Sequence, residues 1–249
     1  MDRGRSSGVA TFFCDAPLEA GRKAELGESE AQHARARRLE TGARVRLVDG
    51  AGAVAAGVLA KLTKSGATVD VEEVSHVPPP PPIHLLAPIA DRDRMLWLAE
   101  KATELGLTSW RAVMWQRSRG VAPRGEGESF HAKVHARMIS ALTQSGGAWL
   151  PTVLPDISGD DVVETAGPGA RFLLDAVGEP MLSVPLAAPL TIAVGTEGGL
   201  DDEERERIET AGWMPVSLGG ATLRFETAGT VALAIARAAL AANVESARG

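Results

Sequence analysis

The residues best suited to chemistry lie in two glycine-bearing segments near the C-terminus. The first is Gly195-Thr196-Glu197-Gly198-Gly199. The second is Leu218-Gly219-Gly220-Ala221-Thr222-Leu223-Arg224-Phe225-Glu226-Thr227-Ala228. Glycine lets backbone N–H and C=O groups approach a ligand with no Cβ between them. Two such segments in tandem describe a pocket built from backbone, suited to a flat or nucleoside-like small molecule. Arg224 and Glu226 flank Phe225 in a stretch otherwise apolar or small. Beside such a pocket, an arginine can contact phosphate and a carboxylate can handle a proton. Glu226 fits a plain helix N-terminal acid equally well. Neither segment reads G-x-G-x-x-G and no P-loop lysine follows, so a dinucleotide or triphosphate site is poorly supported.

Each segment follows a short apolar run, at 190–194 or 214–218, and precedes a helical pattern. In an open α/β sheet, ligands bind in the loops at the carboxyl ends of strands. Upstream, apolar runs at 83–87, 107–115 and 171–175 alternate with helical patterns at 91–105 and 130–144; helices at 201–211 and 227–242 follow the glycine segments. This alternation predicts an α/β domain with a mostly parallel sheet. Gly106 sits where a helix C-terminal glycine belongs, and 119–127, rich in Gly, Pro and charge, reads as a mobile loop.

An unbroken proline run at 78–82 cannot continue a helix or a central strand, so it reads as the boundary between domains at 9–77 and 83–249. The first domain shows short strands with glycine turns, at 9–13, 44–48, 54–62 and 67–74, which suggests a small barrel or curled sheet. A helix at 29–39 carries part of an arginine cluster: Arg35, Arg37, Arg38, Arg44 and Arg46, with His33 just before. The cluster is either a solvated face or a phosphate-contacting patch.

The net charge of −6 lies wholly after residue 77 and argues against indiscriminate nucleic-acid binding. Cys14 is the single cysteine, which excludes an internal disulfide and fits a reducing cytoplasm. No apolar run is expected to span a bilayer, and residues 1–8 have no apolar core of a secretory signal. His131 and His135 share a helix face but have no acidic or cysteine partner at ligand spacing, so no metal is expected. The tryptophans read as core or interface residues, with Trp149 also able to stack on a base.

These motifs together resemble the RsmE family, bacterial methyltransferases that modify N3 of a uridine in 16S rRNA. Residues 194–200 resemble its I-G-P-E-G-G-F/L, and 218–228 its L-G-x-R-x-L-R-x-E-T-A. Residues 101–106 match K-A-T-E-L-G, and Arg117-Ser118 falls where the family has R-S. Gln144-Ser145-Gly146, followed by Pro151, is similar to Q-S-G-R-x-x-x-P, and 33–50 to H…R-R-L…G…D-G. The resemblance covers nearly the whole chain in order. Thr196 stands at the proline of G-P-E-G-G, Ala221 and Gly147 at two arginines, and Phe225 at a threonine.

The resemblance implies a C-terminal SPOUT domain that binds S-adenosylmethionine (SAM) in a trefoil knot, a small N-terminal PUA-like β-barrel domain for RNA, and a cytoplasmic homodimer acting on the small ribosomal subunit, with no membrane and no metal. It assigns SAM to Leu173, Gly195, Glu197, Gly198, Gly199, Leu218, Gly219 and Leu223. It gives chemistry to Arg224 and Glu226, and RNA contacts to Arg35, Arg37, Arg38 and Arg117. The missing cations at Ala221 and Gly147 keep open a SAM-retaining RNA-binding protein with weak or no catalysis. A SPOUT enzyme for another RNA is a third reading.

Overall fold

The structure, a computed structural model, describes residues 9–120 and 124–246. Part of the loop expected at 119–127 therefore lies outside the described residues. The chain divides between Pro79 and Pro80, inside the proline run. Leu142–Leu150 joins the first unit, far from it in sequence.

The first unit contains β1 (Ala10–Phe13), β2 (Lys23–Leu26), α1 (Glu28–Ala36), β3 (Arg44–Val48), β4 (Ala53–Leu62) and β5 (Ala67–His76). They form one five-stranded sheet in the order β1-β3-β4-β5-β2. The strands alternate buried and more exposed residues, and the inward set, including Phe12, Leu47, Leu59 and Val69, builds a single core. The helix expected at 29–39 stops at Ala36. Leu39 N–H bonds Ala34 O and Arg38 N–H bonds Arg35 O, which closes the helix with Arg38 in the left-handed region at φ 56°. Trp149 is tied to the first unit through its ring edge. Its Nε1 donates to Val77 O at 2.9 Å, and it leaves no room for a Cβ at Gly52.

The second unit contains β6 (Ile83–Pro88), α2 (Arg92–Glu104), β7 (Ser109–Met114), most of α3 (Glu128–Ser145), β8 (Thr152–Ser158), α4 (Val162–Thr165), β9 (Ala170–Pro180), β10 (Leu190–Ala193), α5 (Asp202–Thr210), β11 (Met214–Ser217) and α6 (Phe225–Ser246). Six strands form a wholly parallel sheet in the order β11-β9-β10-β6-β7-β8. β8 has no counterpart in the sequence reading, because Pro151 and Pro155 break its apolar pattern.

β9 is longer than its apolar run. Its pairing with β11 jumps from Leu173↔Pro215 to Val216↔Glu179, so the residues between leave the ladder. α6 is long and apolar enough to cross a membrane by length and composition. Here it packs on α2, β6 and β10. Its Arg237 donates to the carbonyls of Leu105, Gly106 and Pro81 at 3.0, 2.6 and 2.9 Å. That arginine caps α2, whose own turn closes on Gly106.

Candidate cofactor pocket and its charged residues

The two glycine loops leave β10 and β11 at their carboxyl ends, and β9 lies between those strands. The loops enclose a cavity of about 340 Å³, toward the lower end of the roughly 300–1,000 Å³ usual for small-molecule sites. Leu174, Asp175 and Ala176, displaced from the β9 ladder, complete the wall with Val216, Phe225 and Ala228. Asp175 pairs with Arg205 of α5, and both face the cavity.

The first loop is held from inside and behind. Buried Thr196 donates its Oγ1 hydrogen to Gly199 O at 3.1 Å, and Gly199 N–H returns to Thr196 O at 2.8 Å. Where the family pattern has a proline to fix φ, this chain fixes the loop with a hydroxyl. Trp115 Nε1 donates to Val194 O at 2.9 Å. Buried Glu204 accepts from Gln116 N–H at 2.7 Å and from Asp201 N–H at 3.1 Å, in a capping box that starts α5. Gly199, Gly219 and Gly220 have φ of 73°, 75° and 69°, where a side chain is strained.

The expected SAM residues Gly195, Glu197, Gly198, Gly199, Leu218, Gly219 and Leu223 all line the cavity. Leu173 does not. It is 1% exposed and packs in the core with Leu86, Val113 and Trp115. Its neighbour Leu174 takes the wall position, because successive strand residues point to opposite faces and the ladder breaks just there.

Among the charged residues, Arg224 is exposed and its side chain has no hydrogen-bond or ion-pair partner among the described residues. Glu226 is buried, and its Oε2 has no hydrogen-bond partner. Arg117, expected at RNA, donates Nη1 to the Gly198 carbonyl of the first loop. Arg94 carries no mark of a site residue in its local sequence. It donates to Glu197 at 2.8 Å and lies 3.9 Å from Glu226. Its only sequence signal is the N-cap Asp91 of α2, which fixes its backbone but not its partners.

In the first unit the arginine cluster separates into different uses. Arg35 donates to the carbonyls of Thr63 and Lys64, Arg37 to His33 Nε2, Arg44 to Glu72 and Arg46 to Gly146 O. Arg38 is exposed and its side chain has no partner among the described residues. Burial and then the Arg37 charge push the His33 imidazole below its ordinary pKa. His131 has an acidic partner after all, Asp156 at 2.6 Å, supplied by β8. Among the described residues no three metal-ligating side chains gather.

Comparison with known proteins fits this geometry. The family described as RNA methyltransferase domain matches residues 78–237, and the RNA methyltransferase PUA domain matches 26–72. The ribosomal RNA small subunit methyltransferase E of Mycobacterium bovis is 30% identical over 89% of this chain and 88% of its own. The protein of that name from Synechocystis is 31% identical over 79% and 66%. The crystal structure of the Neisseria gonorrhoeae methyltransferase E bound to S-adenosyl methionine superposes with a TM-score of 0.83 at 26% identity. That match covers 91% of this chain and 95% of the other. A parallel-sheet domain with paired glycine loops at its strand ends, joined to a PUA-type β domain, thus has its counterparts here, and the chain belongs to the RNA methyltransferase family that includes the ribosomal RNA small subunit methyltransferases E.

Proposed function

We propose that this chain, a SAM-dependent methyltransferase of small-subunit ribosomal RNA, methylates N3 of one uridine of 16S rRNA. The observation that carries the reading is the cavity closed by both glycine loops at the carboxyl ends of β10 and β11, the parallel strands that flank β9. Its residues fit SAM. Gly195, Gly198, Gly199 and Gly219 line the cavity with no side chain between backbone and ligand, and apolar Leu218, Leu223 and Phe225 lie beside them. When bound, SAM supplies a methyl group activated by its sulfonium, so the protein need not make an electrophile.

The chain's own task is to position the base and take its proton. Glu226 Oε2, buried and without a hydrogen bond, is the candidate acceptor for the N3 proton. Arg224, next to cavity-lining Leu223 and Phe225, is the free cation for the developing anion or a phosphate. The base reaches them only when unstacked. Arg38, Arg37 and Arg35 are the candidate phosphate contacts of the PUA-type unit, and Arg38 supports this most directly. It is the one non-glycine residue at positive φ among the described residues, and strained residues cluster at functional sites.

Within this reading the glycine loops form the family's trefoil knot, and two chains pair in the cytoplasm along α6. An apolar groove between Leu182 and the Ala234, Ile235, Ala238 and Ala239 face of α6 supports the pairing. The exposed Ala221, where the family pattern has an arginine, favours a second reading, SAM retention with weak catalysis. Incubating the protein with methyl-labelled SAM and small ribosomal subunits, then mapping the label, separates the readings. Label in 3-methyluridine is expected. SAM binding without transfer supports the second reading, and label in transfer RNA points to another substrate.

A further inference from the structure

Arg94 lies in the first turn of α2, where Asp91 accepts its N–H at 3.1 Å. Its guanidinium faces two carboxylates of distant origin. Nη1 donates to Glu197 Oε1 at 2.8 Å, and Nε lies 3.9 Å from Glu226 Oε1. Glu197 belongs to the first glycine loop. Glu226 stands in the first turn of α6, directly after the second. The Glu226 side chain is 12% exposed, and Arg94 is its ion-pair partner among the described residues. Arg94 itself does not line the cavity.

The geometry points to Arg94 as a positioning residue that ties the two glycine loops to each other and so sets the width of the cleft that holds SAM. It acts through Glu197 and Glu226, not by touching the cofactor. A planar guanidinium carries donors on separate edges and serves two carboxylates together, whereas a lysine is a single point charge. Without the cation, Glu197 and Glu226 repel across the cleft. The inference rests on this pocket being the SAM site.

The test is SAM affinity measured by calorimetry on the full chain, with thermal melting of each variant in the absence of SAM. Arg94→Met is expected to weaken SAM binding about tenfold, a coupling usual for residues in contact. Arg94→Lys should recover part of that loss. Arg94→Met and Glu197→Gln should combine with less than additive effect, by at least about threefold. SAM affinity of Arg94→Met within about twofold of wild type, or strict additivity with Glu197→Gln, would overturn the proposal. If Arg94→Met folds poorly, Arg94→Lys alone decides: it keeps the charge without the two-edged fork and must weaken SAM several-fold, and unchanged affinity sinks the role. A wild-type chain that binds no SAM would remove the pocket reading first and this inference with it.

Discussion

Arg224 carries an exposed guanidinium with no partner among the described residues, one position from a residue that lines the cavity. A cation that holds nothing in the fold can be removed with little effect on stability. Arg224→Ala is therefore expected to lower kcat by about a hundredfold or more, the usual effect of deleting one anion-stabilising donor, and to leave SAM affinity unchanged. Turnover that survives the change would remove the residue from the mechanism. Arg224 and Glu226 were visible in the sequence because they are charges in a small, apolar segment. Arg94 was not, because nothing local distinguishes it from any surface arginine.

A second prediction at this scale concerns Glu30. Burial pushes its carboxyl above the ordinary range, partly offset by the Phe13 N–H that it accepts at 3.3 Å. A carboxyl whose folded pKa is raised binds its proton more tightly in the folded state. Its contribution is thus most favourable below the usual carboxylate range, and stability falls as pH rises through the raised value. Glu30→Gln should stabilise the chain at neutral pH and remove that part of the slope in urea unfolding followed across pH. His33 works in the opposite sense. Its imidazole is held below its ordinary pKa, so acidification through the usual histidine range costs stability whether or not Glu30 is replaced.

At the level of elements, α2 and α5 end with glycine in the left-handed region, Gly106 and Gly212, at φ of 72° and 83°. α1 ends with the same pattern of hydrogen bonds on Arg38 at φ 56°. A side chain there costs about 1 kcal/mol or more relative to glycine. Arg38→Gly is expected to raise unfolding stability by about 1 kcal/mol and, under the proposed RNA role, to weaken RNA binding. A loss of stability would show that the Arg38 side chain supports the fold itself. The helix end at Gly106 was legible because glycine marks it. The end of α1 was not, since its closing residue is an arginine. The wall residues Leu174 and Asp175 were likewise hidden, because a break in the β9–β11 ladder leaves no local pattern.

For the molecule as a whole, ligand linkage gives the broadest check. A ligand bound to the folded state at a hundredfold excess over its Kd stabilises by about 2.7 kcal/mol, which corresponds to a rise in Tm of about 5–10 °C for a domain of this size. SAM should produce that shift, and Gly219→Val, which forces a side chain to φ 75°, should abolish it. For the proposed pairing, Leu182 is 82% exposed at the apolar groove beside α6. Leu182→Glu should shift sedimentation from dimer to monomer without unfolding the chain.

What depends on neighbours in the chain could be read from the residues alone: the strand–helix alternation, the proline run within which the chain divides, and the glycine loops with the charges Arg224 and Glu226 beside them. Period, caps and turns are set by residues a few positions apart, so they can be read along the sequence. Which distant groups meet is set by the folded chain. It brought Arg94 to Glu197, 103 residues away, placed Asp175 against Arg205 at the cavity wall, moved Leu173 into the core, and assigned Leu142–Leu150 to the first unit. Those pairings follow from strand order and register, which no local spacing encodes. The glycine loops that could be read from the sequence make a pocket only because β9, β10 and β11 end side by side.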